Sequence, residues 1–283
     1  MTESFAPLYV VPTPLGNLDD LSLRARAVLV SVAWVAAEDT RHTAPLLRHV
    51  GSPARLLAAH AHNEEEAAAR ILVRLRAGEA VALVSDAGTP AISDPGARIV
   101  AQVREAGGHI IPLPGPCAAV TALSAAGLAE ARWLFHGFLP QKSGPRRAVL
   151  AELRDLPCAL VFHEAPHRIL ESVTDMAAVL APRTLVIARE LTKRFESIHV
   201  LPLAAAHAWL AADSDRQRGE FTLIVSGATG RAAGADPVSA EVERVLRLLL
   251  DENLPLRQAA KLAAAITGCP KNAIYARALE WKG

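Results

Sequence analysis

The sequence predicts an α/β fold, a largely parallel sheet arranged in two halves and followed by a helical tail. Three observations carry that expectation. Short apolar runs alternate with amphipathic stretches almost from end to end of the 283 residues, as in chains built from strand–helix–strand units. Several of the runs are apolar at consecutive positions, the mark of strands covered on both faces. A stretch of small residues at 227–237 then breaks the pattern, and everything beyond it reads as helix.

Taken in order, the apolar runs predict strands at 8–11, 34–37, 81–84 and 109–113, and then at 133–138, 159–163, 185–189 and 221–225. Helical spacing falls between them. Residues 20–32 keep Leu21, Ala25, Val28 and Leu29 on one side. Residues 64–75 place Ala67, Ile71, Leu72 and Leu75 on one stripe, with Asn63 as N-cap. Residues 168–180 and 203–212 behave likewise. The two halves join near 126–132. Past the linker, Ser239 is placed to cap a helix carrying Val242, Val245, Leu246 and Leu249. Two short helices follow, separated by Gly268-Cys269-Pro270 in the manner of a helix-turn-helix.

Composition narrows the function. Hydrophobic residues make up 51% and charged residues 21%, with a net charge of +1, so the chain reads as globular and not as a globally basic nucleic-acid binder. Cys117, Cys158 and Cys269 are too far apart for a C-x-x-C site. No signal peptide or membrane-spanning run is read, and a soluble cytoplasmic protein is expected.

Five apolar runs end in breaker-rich or polar segments: Pro12–Asn17, Ser85–Gly96, Pro114–Ala118, Glu164–His167 and Glu190–Arg194. Ligands of open α/β sheets bind beyond the carboxyl ends of strands, where such loops converge. None of the segments is G-x-G-x-x-G or a P-loop, which disfavours polyphosphate ligands. Rigid turns, outward carbonyls, apolar walls and an acid such as Asp86 suit an adenosine, an amino-acid head group and a positive sulfonium. The H-E-x-x-H match at His163–His167 needs both His on one continuous helix, yet His163 ends a strand and Pro166 sits inside the motif. His60 and His62 lack an identifiable third ligand. No metal is expected. Glu38-Asp39-Thr40-Arg41-His42-Thr43 reads either as a helix cap on a solvated face or as a polar substrate mouth. Lys142, Arg146, Arg147 and Lys193 form a phosphate-contacting track only if they face one cleft.

Together the stretches "PTPLGNLDDLSLRA", "AAEDTRHT", "LVSDAGTPAISDPG", "PLPGPCAAVTALSAAGL", "FHGFLPQKSGPRR", "EAPHR" and "ARELTKRFE", in this order, closely resemble the ribosomal RNA small subunit methyltransferase I family. Its members are 16S rRNA cytidine 2′-O-methyltransferases of the tetrapyrrole methylase superfamily. The resemblance implies two α/β domains, 1–126 and 127–227, with S-adenosylmethionine in the cleft between them. Past the linker read above, at 228–237, the helices of 238–283 resemble that family's helix-turn-helix appendage, and the resemblance implies usually a homodimer. By position it assigns Pro12, Asp86, Ala87, Gly88, Cys117, Ala118, His163, Leu191 and Thr222 to the cofactor cleft. Arg41, Lys142, Arg146, Arg147 and Lys193 are the basic residues expected to contact the phosphates of such an rRNA substrate. His163 stands where an aromatic is common, and Ser226 where an acid is expected.

A ribose 2′-hydroxyl is a weak nucleophile, so a general base or hydrogen-bond acceptor assists its methylation. Asp39, Glu38, His60 and Glu190 are the candidates, and the sequence does not choose among them. The competing readings are a tetrapyrrole- or diphthine-type small-molecule methylase and a non-catalytic RNA-binding module.

Overall fold

The computed structural model describes residues 5–228, 240–252 and 254–281. They form two compact units, divided after Gly227. The expected cap Ser239 and the linker positions 229–237 lie outside the described residues.

The first unit opens with β1 (Leu8–Val10) and α1 (Leu23–Ser31), whose N-cap Ser22 accepts the Ala25 N–H at 3.0 Å. The elements β2 (Trp34–Ala37), α2 (Thr40–Val50), β3 (Arg55–Ala58), α3 (Glu64–Arg76), β4 (Val81–Val84), α4 (Ala97–Glu105) and β5 (Ile110–Pro112) follow. Their strands make a five-stranded sheet in the order β3-β2-β4-β1-β5, with every pairing parallel. Central β4 is buried at each position, which explains its uninterrupted apolar run. Leu29 of α1 and Leu47 of α2 pack on one face of this sheet. Ile71 of α3 and Val103 of α4 pack on the other.

The second half contains α5 (Ala118–Ala125), β6 (Trp133–Phe138), α6 (Ser143–Leu153), β7 (Ala159–Glu164), α7 (Ile169–Leu180), β8 (Thr184–Arg189), β9 (Ser197–Pro202), α8 (Ala206–Ala211) and β10 (Phe221–Val225). Its sheet runs β6-β7-β10-β8-β9. Only β6 and β7 pair in parallel; β10 is antiparallel to both β7 and β8, and β9 is antiparallel to β8. The expectation of a largely parallel sheet is corrected here. Hydrophobic periodicity reports burial, whereas direction depends on the connections, and the short turn between β8 and β9 returns the chain antiparallel. Although α5 precedes residue 126, its Ala119 and Ala122 pack against Val161, Val186 and Ile224 of the second sheet. In space, α5 therefore belongs with the second sheet.

The second unit is a small three-helix assembly of α9 (Ala240–Asp251), α10 (Leu256–Thr267) and α11 (Lys271–Glu280). Leu246, Ala260, Ala263, Ile274 and Ala278 form its core. Gly268 closes α10 in the left-handed conformation at φ 70, and Pro270 caps α11, as the sequence leads one to expect. No helix among the described residues is long and apolar enough to cross a membrane.

Candidate active site

The loops that leave β1 and β4 are fastened to each other. Thr13 N–H donates to the Gly88 carbonyl at 2.9 Å, and Gly88 N–H donates back to Thr13 at 3.0 Å. The buried Thr13 hydroxyl donates to the Ser85 carbonyl at 3.1 Å. A third loop, after β5, joins through Thr89 Oγ1, which donates to the Pro116 carbonyl at 2.8 Å. Gly88 lies at φ +83, and a Cβ there would stand 3.2 Å from Leu15 Cδ2, so the turn requires glycine. Pro12 is packed under a Gly115 that has no room for a side chain: an added Cβ would sit 2.6 Å from Pro12 Cβ.

These loops form one wall of a cavity of about 350 Å³. From the first half it takes Leu15, Ala87, Gly88, Thr89, Ser93 and Asp94; Cys117 and Ala118 open α5. The second half adds Phe138, His163, Glu164, Ala165, Ala188, Leu191, Phe221 and Thr222. Ala87, Gly88, Cys117, Ala118, His163, Leu191 and Thr222, singled out from the sequence, thus meet at one place. Pro12 stands behind the wall as a packing residue. Asp86 lines a neighbouring cavity of about 340 Å³, together with Arg41, His42, Thr43 and Ser85.

The second half meets the cavity with polar groups already satisfied. The buried Glu164 carboxylate pairs with Arg168 at 3.1 Å, accepts the Ala165 N–H and takes a hydrogen bond from Ser172. This arrangement also disposes of the H-E-x-x-H pattern, because His163 and Glu164 end β7 while Pro166 begins a separate short turn. Glu190 accepts the Glu220 N–H at 2.9 Å and Lys193 Nζ at 3.0 Å, and Lys193 also reaches Glu220. Burial pushes the Glu190 carboxyl up, but the Glu220 N–H and Lys193 outweigh it and hold the group below its ordinary value. The His163 ring lies between Phe135 and Phe138, with Thr222 Oγ1 at 3.3 Å from Nδ1. Burial pushes its pKa below the ordinary 6.5, against a weaker pull from Glu220.

The first half presents carboxylates to one another. Asp39 N–H donates to Asp86 Oδ1 at 3.1 Å. Burial, then the Asp86 charge, push Glu38 upward. Asp94 is pushed up to about 6 by burial and by Glu38, with a Ser85 hydrogen bond opposing.

Of the expected bases, Asp39 caps α2 and grips Arg41, and Glu190 is saturated as described. His60 is exposed beyond β3, and its N–H donates to Asn63 at 2.8 Å. None of these three, nor Glu38, is among the cavity's lining residues. Among the expected phosphate contacts, Arg146 must be corrected. Its side chain is 1% exposed and bound to Asp175 at 2.7 Å, because α6 turns that position into the core. Lys193 is held between two glutamates, whereas Lys142 and Arg147 are exposed and Arg41 is 90% exposed. Asp94 was not singled out as a cavity residue. Its place in a breaker-rich turn shared with Asp86 was visible; its neighbour Glu38, at the end of β2, comes from elsewhere in the chain.

Two α/β halves enclosing a cavity at the carboxyl edge of a parallel sheet define a methylase of the tetrapyrrole type: the family model described as "Tetrapyrrole (Corrin/Porphyrin) Methylases" matches residues 7–207. The solved "Uroporphyrin-III C-methyl transferase from Thermus thermophilus complexed with S-adenyl homocysteine" shares the fold, with TM-score 0.54, 15% identity, and 78% of this chain and 97% of that one covered. A second model, "RsmI C-terminal HTH domain", matches residues 236–282. The ribosomal RNA small subunit methyltransferase I of Pseudomonas aeruginosa is 52% identical over 99% of this chain and 99% of its own. Its counterpart in Escherichia coli O157:H7 is 51% identical over 99% and 97%. The chain belongs to the ribosomal RNA small subunit methyltransferase I family.

Proposed function

We propose that this chain transfers a methyl group from S-adenosylmethionine to the 2′-oxygen of a cytidine ribose in 16S rRNA of the small ribosomal subunit, acting in the cytoplasm as a homodimer. The observation that carries the reading is the single cavity lined by seven of the positions the family resemblance assigns to the donor: Ala87, Gly88, Cys117, Ala118, His163, Leu191 and Thr222.

The residues present fit such a donor. Glycine at position 88 leaves open space where a Cβ would crowd Leu15. Leu15, Ala118, Ala188, Leu191 and Phe221 supply apolar walls for an adenine. The first turn of α5 has no side-chain cap, so its N–H groups are available to a carboxylate. Burial lowers the His163 pKa, which disfavours a positive charge beside a sulfonium. When bound, S-adenosylmethionine supplies an electrophilic methyl group and a neutral thioether leaving group. The chain's own part is to orient donor and acceptor in line, to exclude water and to take up a proton. Arg41, Lys142 and Arg147 are the exposed cations proposed to hold rRNA phosphates. The target nucleotide must be splayed out of the folded RNA to reach the cavity.

Mapping 2′-O-methylation by mass spectrometry in 16S rRNA, from cells with and without the gene, tests the proposal. Loss of one cytidine 2′-O-methyl group on deletion is expected. An unchanged methylation map would refute it.

A further inference from the structure

A single exposed apolar side chain is ordinary on a folded protein. Phe195, in the loop between β8 and β9, is set apart by how it is held. At 64% it is the most exposed Phe, Trp or Tyr among the described residues. Its loop runs through two successive turns: Lys193 N–H donates to the Glu190 carbonyl at 3.0 Å, and Glu196 N–H to the Lys193 carbonyl at 3.1 Å. Glu190 and Thr192 adopt φ 51 and φ 65, a left-handed region that residues other than glycine rarely enter and that is retained where structure over-determines it. The Thr192 hydroxyl is buried without a hydrogen-bond partner among the described residues, a second cost carried by the same loop. Its neighbours supply the constraint. Thr192 N–H donates to the Glu196 carboxylate at 2.5 Å, and Lys193 Nζ is gripped by Glu190 and Glu220. The Lys193 stem lies so close on Gly16 that an added Cβ there would stand 2.4 Å from Cγ.

The loop stands between two cavities. Leu191 lines the one proposed for the donor, and Gly16, under Lys193, lines its neighbour together with Arg41 and His42. The exposed tip, Arg194 and Phe195, follows directly. The Arg194 guanidinium lies 5.5 Å from the Phe195 ring centroid and has no carboxylate partner among the described residues. We propose that Phe195 and Arg194 form a stacking platform for an unpaired nucleobase of the substrate RNA, next to the nucleotide that enters the cavity. The proposal rests on the function proposed above. A nucleotide splayed out of folded RNA leaves its neighbours unstacked. A flat apolar ring takes the face of any base, and a guanidinium beside it extends the stack or holds the flanking phosphate. Charge favours RNA over an apolar protein surface, which would bury the Arg194 guanidinium without a counter-charge. The platform positions the RNA and takes no part in bond making.

The test measures binding of 16S rRNA, taken from cells without the gene, to the full-length protein and to Phe195→Ala, Phe195→Trp and Arg194→Ala. Sedimentation and calorimetric titration with S-adenosylmethionine run alongside. Phe195→Ala should weaken rRNA binding about five- to 100-fold, and Phe195→Trp should stay within about threefold of the unmodified protein. Arg194→Ala should lose about threefold and make the salt dependence shallower by about 0.7 in log–log slope. Donor affinity and sedimentation should be unaltered in all three. The Phe195→Trp protein also reports stacking directly. Its fluorescence should be quenched by rRNA beyond the change seen in the unmodified protein, and not by inorganic polyphosphate, which carries charge but no bases. Phe195→Ala binding within about twofold of the unmodified protein, or equal quenching by polyphosphate, would overturn the inference. So would a Phe195→Ala protein that sediments as a smaller species, because the ring would then belong to a contact between copies of this chain. An unmodified protein that binds the donor but neither binds nor methylates the rRNA would overturn the functional reading as well.

Discussion

The two halves of the first unit address the same cavity in opposite ways. In the first half, parallel strands end in loops that leave Glu38, Asp86 and Asp94 close together, with no salt bridge to any of them among the described residues, and burial and their mutual charge push Glu38 and Asp94 upward. In the second half each acid near the site is matched: Glu164 by Arg168, Glu190 and Glu220 by Lys193. Farther from the cavity, Asp175 is matched by Arg146. One side keeps reactive groups under electrostatic tension, and the other supplies a neutral, well-packed wall. The difference teaches where chemistry and stability are divided. Substitutions in the first half should alter rate and pH dependence, and those among the matched charges of the second should alter the fold.

The largest effect should come from Asp175→Ala. It leaves a guanidinium that is 1% exposed without its main counter-charge, and stability should fall by about 3–5 kcal/mol, as measured by urea unfolding. A loss below 1 kcal/mol would show that the second half is less dependent on its matched charges than the geometry implies. Deleting residues 238–283 should come next. Since the described helices form a compact unit of their own, affinity for rRNA should drop about tenfold or more while donor affinity is kept; a loss of both would make the unit structural. The smallest effect belongs to Arg41→Ala. The side chain is 90% exposed, and its ion pair with Asp39 is worth little in solvent. The fold should be unchanged and RNA affinity should fall a few-fold, with a salt dependence shallower by about 0.7–0.9 in log–log slope. An unchanged slope would remove Arg41 from the RNA surface.

Much of this arrangement was legible in the residues. Strands buried on both faces, such as β4 and β10, announce themselves as apolar runs, and the runs at 34–37 and 81–84 match β2 and β4 to the residue. The edge strands β3 and β9 escaped because β3 is only 4 residues long and opens on exposed Arg55, and exposed His199 interrupts β9. Helix α2 was announced only by its cap, Asp39, because Pro45 breaks the pattern within it, and α6 was hidden by Gly144 and Pro145 in its first turn. The donor-cavity positions emerged from recognisable loops, because their glycines and prolines set the backbone locally. The roles of Arg146 and Glu190 could not, since their partners, Asp175 and Glu220, lie 29 and 30 positions away. Asp94 shows the same limit: its residue type was plain, but its raised proton affinity comes first from burial and then from Glu38 at the end of another strand.

Donor binding measured against space-filling variants from each half tests the central claim most directly. Ala87→Trp from the first half and Ala165→Trp from the second each enlarge a lining residue of the 350 Å³ cavity, whereas His62→Trp changes a different depression, beyond β3. Calorimetry should find S-adenosylmethionine affinity reduced about tenfold or more by either of the first two and unaltered by the third. Binding as tight as the unmodified protein's in either cavity variant would contradict a donor site shared by the two halves.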